Sequence, residues 1–473
     1  MDSKTVLEYF KEITRIPRES GHEGPITAYL QEFAASHGLD CRTDVTGNVL
    51  ITRPASKGRE DVPVIVLQSH QDMVCEKNAG VIHDFSKDPI RYEIEDGWMI
   101  ARDTTLGADD GIGIASELAL LASDQEMGRI ECLFTISEET GMDGAEALQP
   151  GFFSGKTLIN LDSEDEGQLF IGCSGGMNTK VTFRYEEEEI RPDYKVLKLV
   201  IDGAAGGHSG DDINKERANA VQLMARFLYS EYKRGMQLVS INGGNKPNAI
   251  ARECSAVVAV PRTSRTRARF LAFGEELKVE YAVSDPDVRC HVESASAVRT
   301  VDTDTAGRII SSLFGCPHGV QAMSQDIAGL VETSTNLASV RMIRRGIVEI
   351  GTSQRSSILS ERMMIGEKVE AVFKMAGADV KQQYAYPGWK PDLSSHILSV
   401  CVESYRRLFG QEPEVKAIHA GLECGLFLEK FPDLDMISFG PTLRGVHAPG
   451  EKLELASLDK FVALLDDVVC NFK

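Results

Sequence analysis

No run in the 473-residue sequence approaches the ~20 consecutive apolar residues that a membrane-spanning helix needs. The opening stretch, Met1 to Phe10, carries Asp2, Lys4 and Glu8, so no export signal is expected there. The 10 cysteines are scattered singly with no CxxC pair, which leaves no disulfide framework and reads as reduced core thiols of a cytoplasmic protein. No G-x-G-x-x-G and no P-loop follows the early strands, which removes the usual nucleotide-binding signatures. Basic residues are outnumbered, 51 against 71 acidic ones, for a formal charge of -20. Such a surface repels phosphate backbones and anionic lipid, so neither nucleic acid nor membrane is expected as a partner. Internal repeats and low-complexity segments are also missing.

What is present suits a globular protein: 42% hydrophobic and 26% charged residues, in a length that favours roughly two to three domains. Val6, Leu7, Phe10 and Ile13 have helical spacing, as do Ile26, Leu30 and Phe33 before Gly38. Val62 to Gln68 is almost wholly apolar, as a strand buried on both faces would be. A helix is expected over 110–122, with strands over 130–136 and 158–161. This alternation predicts a mainly parallel sheet with helices on both faces. Near Tyr185 the texture changes. The acidic run Glu186 to Glu189 reads as a linker or an exposed loop, and beyond it alternating strands and long amphipathic helices suggest an α+β domain. Tyr384 to Asp392 (YAYPGWKPD) looks like the return linker, after which α/β texture resumes. The expected organisation is an α/β domain over 1–187 and 385–473, interrupted by an inserted domain over 188–384.

Polar residues gather where apolar strands stop, the place where open α/β sheets bind ligands. His70 and Asp72 follow the first buried strand, Glu138 and Glu139 a second, Asp162 a third, and His447 the strand near Met436 to Phe439. Asp109 and Asp110 stand where a loop enters a helix. Each motif alone has a plainer reading. His-x-Asp is a common hydrogen-bonded pair, Asp-Asp-Gly a helix cap, and adjacent glutamates an exposed pair. Together they are harder to dismiss, because two histidines and this many carboxylates at one sheet edge repel one another unless a cation joins them. The nitrogen and oxygen mix suits Zn2+, with Mn2+ or Co2+ as alternatives.

The stretches LQSHQDMVCEKN, LGADDGIGIA, TISEETGMDGA, LINLDSEDEG, GGHSG, YPGWKPD, AIHAGLECGLF and SFGPTLRGVHAP resemble the M20 family of co-catalytic metallopeptidases, most of all its aminoacyl-histidine dipeptidases. The resemblance runs the length of the chain. It implies two zinc ions per subunit: Asp109 bridging, His70 and Asp162 completing one site, Glu139 and His447 the other. It also implies Asp72 as a carboxylate that orients His70, Glu138 as general base, and a cis peptide bond at Asp109–Asp110. His208, in Gly206 to Gly210, would be the oxyanion donor from the inserted domain, which in similar enzymes acts as lid and as homodimer interface. Asn248, Asn336, Arg355 and the loop of Gly421 and Glu423 would hold a dipeptide substrate. Arg341, Arg344 and Arg345 are rivals to Arg355, and His419 reads equally well as a substrate contact or a buried structural residue. In the aminoacyl-histidine subgroup an Asn usually follows the bridging aspartate. Here it is Asp110, a departure that bears on a preference for C-terminal histidine. An N-acyl-amino-acid hydrolase or exo-carboxypeptidase with the same centre is the alternative activity, and a non-catalytic metal-binding protein the alternative class.

Overall fold

The computed structural model describes all 473 residues and divides them into two compact units. The first comprises Met1–Gly172, Trp389–Ala417 and Leu422–Lys473; the second comprises Cys173–Gly388 and Ile418–Gly421. The first unit is built on an eight-stranded sheet: β1 (Asp40–Thr43), β2 (Val49–Arg53), β3 (Ile65–His70), β4 (Ile130–Thr135), β5 (Thr157–Asn160), β6 (Gln168–Cys173), β7 (Glu414–Ile418) and β8 (Asp435–Ser438). Their spatial order is β1-β2-β4-β3-β5-β8-β6-β7. The four central strands are mutually parallel, while β1, β2 and β6 pair antiparallel at the flanks. Every residue of β3, β4 and β5 is buried, so both faces of the centre are covered, as parallel strands require. Helix Ala108–Leu121 packs on β3 and against helix Ser3–Ile13, and helix His396–Phe409 packs on β8. The latter helix starts at Ser395, whose hydroxyl accepts from Leu398 N, and stops at Gly410, where φ of 68° ends the helix without a Cβ clash.

The second unit holds a nine-stranded antiparallel sheet, with helices Ala220–Tyr232, Thr266–Glu280 and Thr303–Gly315 contributing to its core through Phe227, Phe270 and Ile309 among others. This is the expected α+β texture, but its boundaries differ from the expected 188–384. Residues 175–184 form a strand of this sheet, paired with Ile347–Ser356 on one side and Asp379–Tyr386 on the other, so the unit begins at Cys173. The acidic run is not a linker either: Glu187–Glu189 is a short strand paired with Arg299–Val301. Charge on both of its faces hides it from any apolar alternation. No helix is long and apolar enough to cross a membrane.

Candidate metal centre

In the first unit five sequence-distant segments meet at the C-terminal edge of the parallel strands. His70 is the last residue of β3, and Asp162 lies two residues past β5. Asp109 sits in the first turn of helix Ala108–Leu121 with non-helical torsions, and the bond to Asp110 is cis. Three groups of three side chains have ligand atoms within 4.8 Å of one another: His70, Asp109 and Asp162; Asp109, Glu139 and His447; and His70, Glu138 and Glu139. Asp109 divides its oxygens between the first two. Oδ1 lies 2.9 Å from His70 Nε2, and Oδ2 lies 3.1 Å from His447 Nε2. His447 Nε2 is 2.9 Å from Glu139 Oε2, and His70 Nε2 is 3.8 Å from Asp162 Oδ1.

The electrostatics match a cation site. Burial pushes the carboxyls of Glu138 and Asp162 well above the usual carboxylate range, helped by Glu423 and Asp109 respectively. His447, bonded to Asp109 and Glu139, is pushed up to about 11. Burial disfavours a charged His70, yet the bonds to Asp109 and Asp72 raise it well above its ordinary value. Carboxylates buried this close repel one another, and their oxygens with two imidazole nitrogens make a donor set that fits a divalent cation.

Asp72 is completely buried and ties the loops together. Its Oδ1 is 3.3 Å from His70 Nδ1 and accepts Glu138 N at 3.1 Å, while Oδ2 accepts Glu139 N at 3.2 Å and Ser20 Oγ at 2.7 Å. Burial opposes its charge, but the His70 bond holds the carboxyl down at about 2.

Two positioning residues are missing from the sequence reading. Arg18, 2% exposed, donates to the carbonyls of Gln71, Asp72 and Gly107, clamping the His70 loop to the Asp109 loop. Glu451 Oε2 accepts the amides of Leu106 and Gly107 at 2.7 and 3.0 Å, and its Oε1 that of Ala108 at 2.8 Å. The glycines of LGADDGIG make room for this clamp. A Cβ at Gly107 would stand 2.6 Å from Arg18 Nη2, and one at Gly111 2.7 Å from the same atom. That glycine spacing was the available signal.

Glu423 is a correction. Expected at the substrate, its side chain is 0% exposed and bonded inward to Gln68 and Thr135. A carboxyl at the start of a helix wedged against buried strands has no face left for a ligand.

The remaining expected residues lie in the second unit. His208 Nδ1 is 3.1 Å from Asp211 Oδ2, and its Nε2 is 3.5 Å from Arg355 Nη2. Arg355, 7% exposed, donates to Tyr386 Oη at 3.1 Å. Two of its three rivals are engaged elsewhere, Arg341 with Asn245 and Arg345 with Glu187. Asn248 is exposed and its carbonyl accepts Ser209 N at 2.8 Å. Asn336 is buried and acts as a strut, donating to Pro247 O and Ala249 O. Gly421 is partly exposed.

His419 is buried, with Nε2 at 2.7 Å from Ser334 Oγ. Burial, reinforced by Arg355, holds it down at about 3. Burial holds His318 down at about 4, and its Nδ1 accepts Leu337 N at 3.2 Å. Both are therefore neutral when folded and charge in the unfolded chain below about 6.5. The unfolded state binds more protons between pH 6.5 and roughly 4, so stability falls as pH is lowered through that window. At pH 5 each site costs about 2 kcal/mol. Urea melts at pH 7 and pH 5 should show that His419→Gln recovers about that much of the acid loss; an unchanged loss would mean that His419 is already protonated in the fold.

The sequence profile described as peptidase family M20/M25/M40 matches residues 66–471. The cytosol non-specific dipeptidase of Escherichia coli (strain K12) is 38% identical over 477 aligned positions, covering 99% of this chain and 98% of that protein. The crystal structure of the aminoacylhistidine dipeptidase from Vibrio alginolyticus superposes with a TM-score of 0.92 at 39% identity, covering 99% of this chain and 96% of the other. Aminopeptidase PepT from Bacillus cereus shares the fold at 18% identity and a TM-score of 0.63, covering 99% of this chain and 98% of its own. The chain belongs to peptidase family M20/M25/M40 and is a hydrolase of that metallopeptidase family.

Proposed function

We propose that the chain is a dipeptidase that hydrolyses unblocked dipeptides, Xaa-His among them, at a dinuclear zinc centre. The observation that carries this reading is the split of Asp109, one oxygen toward His70 and the other toward His447, with Glu138 beside them. His70, Asp109 and Asp162 would hold one cation, and Asp109, Glu139 and His447 the other. Zinc suits these donors, with Mn2+ or Co2+ as substitutes. Bound there, paired cations supply Lewis acidity that lowers the pKa of water and polarises a carbonyl. Glu138 is the general base, taking a proton from the attacking water and handing it to the leaving amine. Asp72 engages His70 through Nδ1, which leaves Nε2 free to serve as a ligand. In the second unit, His208 is the donor suited to a developing oxyanion and Arg355 the one suited to a carboxylate, with Asn248 and Gly421 as further contacts. The dipeptidase names of the relatives from E. coli and V. alginolyticus favour dipeptides over N-acyl amino acids.

We place the protein in the cytoplasm, where its 10 cysteines stay reduced. A homodimer formed through the second unit is supported by helix Leu359–Met375, which exposes Leu359, Met363, Met364 and Met375. The test is one panel on zinc-reconstituted protein: Ala-His, β-Ala-His, Leu-Gly, a tripeptide and N-acetyl-Met. Cleavage confined to the dipeptides is expected. Cleavage of N-acetyl-Met alone would leave the centre standing and sink the substrate, and sedimentation of the same sample at the 51.8 kDa of one chain would rule out the dimer.

A further inference from the structure

The central sheet places buried polar side chains at or near the ends of its four parallel strands, where the residues before them are largely apolar. Ser163 Oγ lies 2.6 Å from Ser438 Oγ, and Ser438 Oγ donates to Asn160 Oδ1 at 2.5 Å. Asn160 Nδ2 donates to Gln68 Oε1 at 2.6 Å, and Gln68 Nε2 donates to Glu423 Oε2 at 2.7 Å. From the other side Thr135 Oγ1 donates to the same oxygen at 2.8 Å. Thr135, Gln68, Asn160 and Ser438 belong to β4, β3, β5 and β8, the four parallel strands, and all are buried. Gln68 stands two residues before His70, Thr135 three before Glu138, and Asn160 two before Asp162. The donors all run one way, toward Glu423, where the chain of bonds ends. That direction follows from chemistry: an ionised carboxylate only accepts, so Gln68 must offer its NH2 there and its carbonyl to Asn160, whose own carbonyl then faces Ser438.

Resting on the dinuclear reading above, we propose that Glu423 is a positioning residue of that centre: as terminal acceptor of this ladder it holds the strand ends that deliver His70, the Glu138–Glu139 pair and Asp162 in one frame. A buried carboxyl is costly, and this one has an oxygen, Oε1, without a partner. Burial pushes it up to about 7. In either protonation state Oε2 accepts from Gln68 and Thr135, with any proton carried on Oε1. A glutamine in its place keeps the acceptor and sets its NH2 where Oε1 stood; an alanine removes the ladder's end. Linked buried hydrogen bonds reinforce one another, so losing the end loosens the whole row.

The test is zinc affinity by chelator competition on the full chain, with kcat and KM for Ala-His alongside. Glu423→Ala should weaken zinc binding and lower kcat by at least ~10-fold each, at nearly unchanged KM, the scale seen when groups behind metal ligands are removed. Glu423→Gln should restore both to near the parent value. Thr135→Val keeps the shape of a strand residue and folds, removes one donor, and should show a smaller loss in the same direction. Parent zinc affinity in folded Glu423→Ala overturns the proposal, as does Glu423→Gln as impaired as the alanine. If Glu423→Ala does not fold, parent affinity in Thr135→Val does the same. The zinc titration uses no substrate, so a parent protein that binds zinc and leaves every dipeptide intact defeats the dipeptidase reading, not this one.

Discussion

Glu138→Gln is expected to lower kcat at least ~100-fold, the usual scale for removing a general base, while metal content and KM stay near the parent values. Glutamine keeps the size of the side chain and one acceptor oxygen but cannot carry a proton between water and amine. The position itself is secured by backbone: Glu138 N donates to Asp72 Oδ1 at 3.1 Å and Glu139 N to Asp72 Oδ2 at 3.2 Å, bonds that the substitution leaves alone. Parallel assays of turnover and of zinc by elemental analysis separate three cases. Slow turnover with full zinc supports the base. Lost zinc would make Glu138 a ligand, an arrangement the grouping of His70, Glu138 and Glu139 within 4.8 Å makes worth testing. Full turnover would remove Glu138 from the mechanism.

How much of this was legible beforehand follows from what kind of signal each residue leaves. His70 ends an apolar strand and Glu138, Glu139, Asp162 and His447 follow the ends of others, a local pattern visible in one dimension, and the four central strands lie within a few residues of where the apolar runs put them. Arg18 and Glu451 left no such mark. Their partners are backbone carbonyls and amides of loops distant in sequence, and any residue type supplies those groups. Only the spacing of Gly107 and Gly111 hinted that something large approaches that turn. The unit boundary was misplaced for a related reason. A strand such as Glu187–Glu189 is held by its pairing with Arg299–Val301 and by Arg345, not by an apolar face, so its composition reads as loop. Glu423 was read as a substrate contact because its loop was, yet burial is decided by the strands behind it. Asp110 is buried, its Oδ1 accepts Gly113 N at 3.1 Å, and burial pushes its carboxyl well above the usual carboxylate range.

Asp109→Ala should cost the protein both cations and, with them, its activity. Each triad has three donors, and Asp109 is the only residue common to the two that carry the proposed ions. Removing it leaves His70 with Asp162 on one side and His447 with Glu139 on the other, pairs that fall short of the three protein ligands typical of a catalytic zinc site. His447→Ala is the informative companion, because it strips one triad and leaves His70, Asp109 and Asp162 whole. Zinc per chain, measured after gel filtration, should therefore fall from about two to near zero in Asp109→Ala and to about one in His447→Ala. Equal losses in the two variants would mean that the ions bind as a pair and neither triad holds alone. Two ions retained in Asp109→Ala would show that the short contacts of Asp109 with His70 and His447 are hydrogen bonds of a structural cluster, and the bridging role would have to be given up.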